Sequence, residues 1–101
     1  MSNRLEIAKK FANVINSNEI KQIILFGSVA RGEDNNDSDI DILIITDSKD
    51  EIKDFVYDKV TDFSLYEEEY ISAHFISQNH FNKTKNFSFL TNVLKEGVIL
   101  G

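Results

Sequence analysis

The chain has 101 residues, 42% of them hydrophobic, which suits one compact domain over residues 1–101 with a modest core. Its 11 basic and 17 acidic residues give a net charge of −6, with no basic stripe of the kind that binds a nucleic-acid backbone. The lack of cysteine excludes a disulfide framework and a thiolate metal site. Since no signal peptide or membrane-spanning run is evident, we expect a cytoplasmic protein without membrane contact.

The first third of the chain predicts a helix, a strand and a turn. Residues 3–17 carry apolar side chains at three- and four-residue spacing, and Asn3 followed three residues later by glutamate fits a capping box. Residues 22–26 form a short apolar run that ends at glycine, which predicts a buried strand. Gly27 and Ser28 then turn the chain, and residues 29–32 predict the start of a short helix.

The rest of the chain predicts two more strands and three helical segments. Residues 32–38 have the polar, acidic composition of an exposed loop, and residues 39–45 and 70–77 predict strands. Residues 48–64 keep a helical period with Ser48 as the expected cap, and Ser77 is expected to cap a helical turn through Phe81. Residues 87–96 predict a last helix, with Gly97 as its left-handed cap. This order predicts an α/β fold, a small mixed sheet with helices packed on it.

Two aspartates, Asp39 and Asp41, open the second strand. Because side chains alternate along a strand, both point to the same side, with their Cα atoms about 6–7 Å apart. Two carboxylates this close repel each other unless water or a cation lies between them. Mg²⁺ is commonly held by one or two carboxylates and completed by substrate phosphates, so the pair predicts a Mg²⁺ site at the edge of the sheet.

The dipeptide Gly27-Ser28 predicts a phosphate site beside this pair. A glycine at the end of a strand lets the backbone approach a ligand closely. The following amides and the Ser28 hydroxyl can donate hydrogen bonds to phosphate oxygens, and a helix that starts here adds partial positive charge. A turn that binds an anion beside a metal-binding pair indicates a site for ATP or another nucleoside triphosphate.

The full pattern, G-S-x-x-R-G followed by S-D-x-D, resembles the signature of the minimal nucleotidyltransferases of the DNA polymerase β superfamily, of the MntA-like antitoxin type. It is formed here by Gly27, Ser28, Arg31, Gly32, Ser38, Asp39 and Asp41. The later stretches ISAHFISQNHF and FLTNVLKEGVIL also resemble short members of this family.

The resemblance implies a polymerase β palm-like fold and the transfer of a nucleoside monophosphate, usually AMP from ATP, to a hydroxyl group. It implies that Asp39 and Asp41 are catalytic Mg²⁺ ligands. The other motif residues, Gly27, Ser28, Arg31 and Ser38, would bind the nucleotide. For Arg31 two roles stay open, because its side chain could approach a phosphate or could pair with an acid of the loop, namely Glu33, Asp34 or Asp37.

The sequence departs from the family at a third carboxylate, which usually lies on a neighbouring strand. The expected strand contains Ser72 and His74 but no acid, and residues 67–69 are glutamates just before it. A charge run in this position is usually a solvated loop. His74 could replace the missing base, or it could be a half-buried strand histidine that its neighbours hold by hydrogen bonds.

Two functions are therefore compatible with the sequence. The first is an active nucleotidyltransferase whose acceptor is a protein hydroxyl, and the family resemblance points to a HEPN-domain protein that it would neutralise as an antitoxin. The second is a binding module of the same fold that acts by contact with such a partner and has weak or no catalysis. The missing third acid favours the second function, and the intact glycine–serine and double-aspartate elements favour the first.

Overall fold

The structure, a computed structural model, describes residues 3–35 and 38–101. The elements follow in the order α1 (Arg4–Ile15), β1 (Ile20–Phe26), α2 (Gly27–Arg31), β2 (Ile40–Thr46), α3 (Lys49–Tyr66), β3 (Ile71–Ile76), α4 (Gln78–Thr84), α5 (Ser88–Glu96) and β4 (Val98–Ile99). The predicted α/β class with a small mixed sheet is confirmed. No helix among the described residues has the length and apolar character required to cross a bilayer.

The four strands form one sheet in the order β3-β2-β1-β4. Strand β1 runs antiparallel to β2 and to β4, whereas β2 and β3 are parallel. Phe26 at the end of β1 pairs with Asp41 near the start of β2, and Asp41 pairs with Ser72 near the start of β3. The end of β1 and the beginnings of β2 and β3 therefore share one edge of the sheet.

Helices cover both faces of this sheet. One face packs against α1 and α3, and its buried cluster includes Ile40, Ile42 and Ile44 of β2. The other face packs against α4 and α5, and its cluster includes Leu43 and Ile45. Because side chains alternate along a strand, Asp41 belongs to the face that α4 and α5 cover. The alternation of buried residues thus decides which helices border the acidic pair.

All three expected N-cap residues precede their helices, and two of them make the capping hydrogen bond through the side chain. The side chain of Asn3 accepts a hydrogen bond from the Glu6 amide at 3.2 Å, and Ser77 does the same for the His80 amide at 3.1 Å. Ser48 occupies the N-cap position of α3 as expected, but its side chain makes no capping hydrogen bond. Its own amide donates to Thr46 Oγ1 at 3.0 Å instead. Helix α4 also continues beyond the expected single turn.

The prediction that Gly97 ends α5 as a left-handed cap is wrong. Its backbone is extended, with φ −73° and ψ 156°, so no left-handed cap ends α5. A Cβ atom at this position would lie 2.3 Å from the Val93 carbonyl oxygen and 2.7 Å from Ile24 Cγ2. Glycine is needed here for space, because the chain passes close to α5 and β1 before it forms β4. The two-residue strand β4 was not predicted, since two residues carry no recognisable periodicity.

We predict that Gly97→Ala lowers the free energy of unfolding by about 1–3 kcal/mol, the usual cost of overpacking. Gly101→Ala is the matched control, because a Cβ there would make ordinary contacts, the nearest at 3.5 Å from Asn16 Nδ2. Urea unfolding followed by circular dichroism measures both. Equal stability of the two variants would contradict the steric role of Gly97.

Candidate functional site

The turn after β1 lies directly against the acidic pair. Gly27 has φ +77°, a left-handed conformation that strains any other residue. A Cβ atom on Gly27 would lie 2.3 Å from Asp41 Oδ2, so the carboxylate occupies the space that a side chain would need. The structure thus brings the turn against Asp41, one of the two acids that the sequence singled out, through the antiparallel pairing of β1 with β2.

The carboxyl group of Asp41 is half-buried and electrostatically strained. Burial raises its pKa, and the negative charge of Asp39 raises it further, whereas His74 and Arg31 act in the opposite direction. The effect of Asp39 shows that the two carboxylates are close enough to repel each other. A cation between them would relieve this repulsion, which is the condition that the sequence predicted for a metal site.

These residues fit Mg²⁺ only together with a ligand. Among residues 3–35 and 38–101, no cluster of three or more histidine, aspartate or glutamate side chains could hold a metal ion by itself. Two carboxylates from one strand can hold a divalent cation when phosphate oxygens and water supply the other positions. The donor set therefore suits a cation that arrives with a phosphorylated substrate rather than a resident structural metal.

The Ser28 hydroxyl is available at the edge of this site. The Ser28 carbonyl accepts a hydrogen bond from the Glu33 amide at 2.9 Å, which closes the C-terminal end of the short helix α2. In the part of the chain that the structure describes, the hydroxyl itself makes no hydrogen bond, and the residue is half-buried. It can therefore donate to an incoming anion without breaking an existing contact.

Arg31 pairs with acids on both sides of it. Its Nε donates to Glu33 Oε2 at 2.9 Å, and its Nη1 donates to Glu96 Oε2 of α5 at 3.4 Å. The hydrogen bond with Glu33 is the main cause that raises the pKa of Arg31. Of the roles that the sequence left open, the structure shows the pairing with Glu33, while Asp37 lies outside the described residues. The contact with Glu96 was missed, since nothing local signals a partner 65 residues away.

A cavity of about 260 Å³ opens between the turn and α5. It is lined by Phe26, Gly27, Arg31, Asn92, Val93 and Glu96. Gly27 borders both this cavity and the Asp41 carboxylate, so the cavity lies next to that carboxylate, although neither Asp39 nor Asp41 is among its lining residues. The sequence analysis did not single out Asn92, because α5 was predicted from its apolar residues and nothing in the sequence marks a lone polar residue on it as part of a site.

Ser38 is engaged in the loop rather than exposed to the cavity. Its hydroxyl accepts a hydrogen bond from the Asn35 amide at 3.0 Å. The carbonyl oxygens of Ser38 and Asn35 accept hydrogen bonds from Nη1 of Arg4 at 2.7 and 2.6 Å. In this arrangement Ser38 shapes the loop that leads to Asp39, and its role in nucleotide binding stays a prediction.

Two of the glutamates before β3 pair with α1, on the face of the sheet opposite to Asp41. Glu69 is buried and pairs with Arg4 of α1 at 3.1 Å, and Glu67 pairs with Lys10 of the same helix. Strand β3 instead places Ser72 opposite Asp41, and Ser72 Oγ lies 3.1 Å from His74 Nε2. The described residues thus show a serine and a histidine where the family usually has its third acid.

Residues 8–100 match the nucleotidyltransferase domain family. The chain belongs to this family. It is 44% identical over 101 residues to a Methanocaldococcus jannaschii protein provisionally named protein adenylyltransferase, covering 97% of this chain and 98% of that one. The match confirms the family that the motif indicated.

Two solved structures share the fold of this nucleotidyltransferase domain. One is a toxin–antitoxin crystal structure with AMP-PNP, at a TM-score of 0.59 and 17% identity. The other is the toxin–antitoxin pair MntA–HpeT with two aspartate-to-glutamate substitutions, at a TM-score of 0.60 and 15% identity. Each covers 100% of this chain, which corresponds to 73% of the matched chain.

We predict that Asp41→Asn stabilises the protein at neutral pH. Because the folded state raises the pKa of Asp41, this group's contribution to stability is complete below its ordinary pKa of 3.8 and is lost as the pH rises through the folded-state pKa. Asparagine does not ionise, so the variant keeps this contribution at neutral pH. We therefore expect its free energy of unfolding at pH 7 to exceed that of the parent protein by about 0.5–1 kcal/mol, after allowing for solvent screening. The gain should vanish near pH 3.

Thermal unfolding of the two proteins between pH 3 and pH 8, without divalent cations, measures this difference. Asp58→Asn, at an exposed position of α3, is the control for the loss of one negative charge. A variant that is less stable than the parent protein at pH 7 would contradict the electrostatic strain at Asp41.

Proposed function

We propose that this protein transfers AMP from Mg²⁺–ATP to a hydroxyl group of a partner protein and thereby acts as the antitoxin of a HEPN-domain toxin. The contact between Gly27 and the Asp41 carboxylate carries the proposal, because it brings the turn that would bind phosphate against one carboxylate of the pair that would bind the metal. The family, the provisional name of the M. jannaschii relative and the AMP-PNP in a fold neighbour support the same chemistry. The toxin–antitoxin neighbours support a toxin as the partner, and the HEPN class follows from the sequence resemblance alone.

The residues of the site would act mainly by positioning and charge. The amides after β1 and the Ser28 hydroxyl would hold phosphate oxygens, while Asp39 and Asp41 would bind Mg²⁺ on the adjacent strand. When bound, Mg²⁺ neutralises charge on the triphosphate and on the leaving pyrophosphate. The acceptor oxygen bonds to the α-phosphorus, the bond from that phosphorus to pyrophosphate breaks with its electron pair, and the hydroxyl proton passes to water.

The second candidate function is a binding module that neutralises its partner by contact. The observation that favours it is the pair Ser72 and His74 at the position where a third carboxylate would complete the metal site. A positioned base commonly contributes about 10²–10⁴-fold to a rate. Without that carboxylate, nucleotide binding would survive better than turnover.

One experiment separates the two functions. The protein is incubated with Mg²⁺, [α-³²P]ATP and the product of the neighbouring gene, and the label on that protein is measured. We expect labelling that falls at least about 100-fold in Asp39→Asn/Asp41→Asn, since the variant removes both carboxylates that would hold the metal.

The control is Asp54→Asn/Asp58→Asn, which removes the same charge from two exposed positions of α3. It should label the partner as the parent protein does. A stable complex without label, unchanged in the double aspartate variant, would support the binding module. If neither label nor complex is found, both proposals fail.

A further inference from the structure

The sheet holds Asp41 more firmly than Asp39. Asp41 lies within β2, where it pairs in register with Phe26 on one side and Ser72 on the other. Asp39 lies before the strand, which begins at Ile40, and it is exposed at the end of the loop that follows α2. Strand pairing alone therefore does not keep the Asp39 carboxylate beside that of Asp41, from which it is repelled as a like charge.

Hydrogen bonds hold the two peptide groups that flank Asp39. The group before it carries the Ser38 carbonyl oxygen, which accepts a hydrogen bond from Arg4 Nη1 at 2.7 Å. The group after it carries the Ile40 amide, which donates to the Tyr70 carbonyl oxygen at 2.9 Å. Because only the two backbone dihedral angles of Asp39 turn these groups relative to each other, fixing both groups fixes the direction of its side chain.

Arg4 is itself held by a buried acid, Glu69. Its Nε lies 3.1 Å from Glu69 Oε2, and the two side chains are only 10% and 9% exposed. Nη1 of the same guanidinium also donates to the Asn35 carbonyl oxygen at 2.6 Å. Since the donors of a guanidinium keep a fixed planar geometry, Glu69 fixes the position from which Arg4 holds the loop before β2.

The backbone takes an uncommon conformation directly before Glu69. Glu68 has φ +55°, in the left-handed region that residues other than glycine seldom adopt. Glu69 is buried, a state in which glutamate is almost always paired. The next residue, Tyr70, supplies the carbonyl that binds the peptide group after Asp39. Residues 68–70 thus hold Asp39 twice, once through Arg4 and once through the Tyr70 backbone.

We propose that Arg4 and Glu69 are positioning residues for the cation site, which keep the Asp39 carboxylate beside that of Asp41. Under the proposed function, on which this inference rests, the two carboxylates share a divalent cation that arrives with the triphosphate. Arg4 and Glu69 act through the backbone at Asp39 rather than as ligands. Without their ion pair, repulsion from Asp41 turns Asp39 away, and the cation loses one of its two carboxylates.

The first test compares nucleotide binding with and without a divalent cation. The probe is α,β-methylene-ATP, whose α–β bridge cannot be cleaved, and titration calorimetry gives its Kd with and without Mn²⁺. Arg4→Gln/Glu69→Gln removes both charges and leaves two side chains that can hydrogen-bond each other. We expect its Kd for the Mn²⁺ complex to rise about 10- to 100-fold, as for other groups that orient metal ligands. The Kd for the metal-free nucleotide should stay within about twofold of the parent value, whereas general loss of structure would weaken both.

The matched control is Lys10→Gln/Glu67→Gln. This ion pair also joins α1 to the glutamates before β3, and its removal changes the same two charges. The control should bind the Mn²⁺ complex as the parent protein does. An equal loss of affinity in the control and in Arg4→Gln/Glu69→Gln would overturn the inference, as would an unchanged affinity in both.

The Asp39→Asn background tests whether the pair acts through Asp39. With the carboxylate already removed, adding Arg4→Gln/Glu69→Gln should weaken the Mn²⁺ complex by no more than about twofold, because the two changes share one effect. A further loss as large as that in the parent protein would mean that Arg4 and Glu69 act by another route, and it would overturn the inference.

Amide hydrogen exchange without ligand separates this inference from the proposed function. In Arg4→Gln/Glu69→Gln we expect the Ile40 amide to exchange about tenfold faster, with the amides of Ile42 and Ile44 unchanged. Unchanged exchange at Ile40 would overturn the positioning role whether or not the protein binds Mn²⁺. A parent protein that binds the nucleotide equally well with and without Mn²⁺ would instead refute the proposed function, while faster exchange at Ile40 would still support the positioning of Asp39.

Discussion

The contact between the Gly27 backbone and the Asp41 carboxylate is the constraint on which the rest of the site depends. It exists because β1 and β2 are antiparallel neighbours, so the residue after the first strand meets the beginning of the second. Any side chain at Gly27 would displace the carboxylate or the turn. The parallel pairing of β3 then adds Ser72 and His74 to the same edge.

Arg4, on the opposite face of the sheet, holds the chain segments that lead into β2 and β3. Its guanidinium binds the carbonyl oxygens of Asn35 and Ser38 and pairs with Glu69 and Asp34. The loop before β2 and the segment before β3 are thereby held by one side chain, which is itself only 10% exposed. Hydrogen bonds that engage a buried charge in this way fix its surroundings, because leaving the charge unpaired would be costly. Glu69 is thus explained by its pairing with the arginine that holds the loop before β2.

The electrostatic strain at Asp41 is typical of a site that binds a cation. A half-buried carboxylate beside a second one destabilises the protein without its ligand, and the apolar clusters on both faces of the sheet offset that cost. The same strain favours any cation that brings its own additional ligands. The structure and the proposed chemistry therefore depend on one feature, the proximity of two like charges at a turn with no side chain.

The sequence predicted the structure correctly where a short stretch of residues determines its own conformation. The apolar run that ends at Gly27 correctly predicted the buried strand β1, and the motif identified the family. It failed at Gly97, because sequence alone does not distinguish a glycine needed for its backbone angle from one needed for space. Contacts such as that between Arg31 and Glu96 join distant parts of the chain and leave no local trace.

A crystal of the protein with Mn²⁺ and a nonhydrolysable ATP analogue tests the central claim most directly, because anomalous scattering locates the metal without assumptions about its ligands. The account predicts a manganese peak coordinated by Asp39 and Asp41, with the triphosphate against the amides that follow β1. A nucleotide and metal bound elsewhere on the protein, or a manganese peak without contact to Asp41, would contradict it.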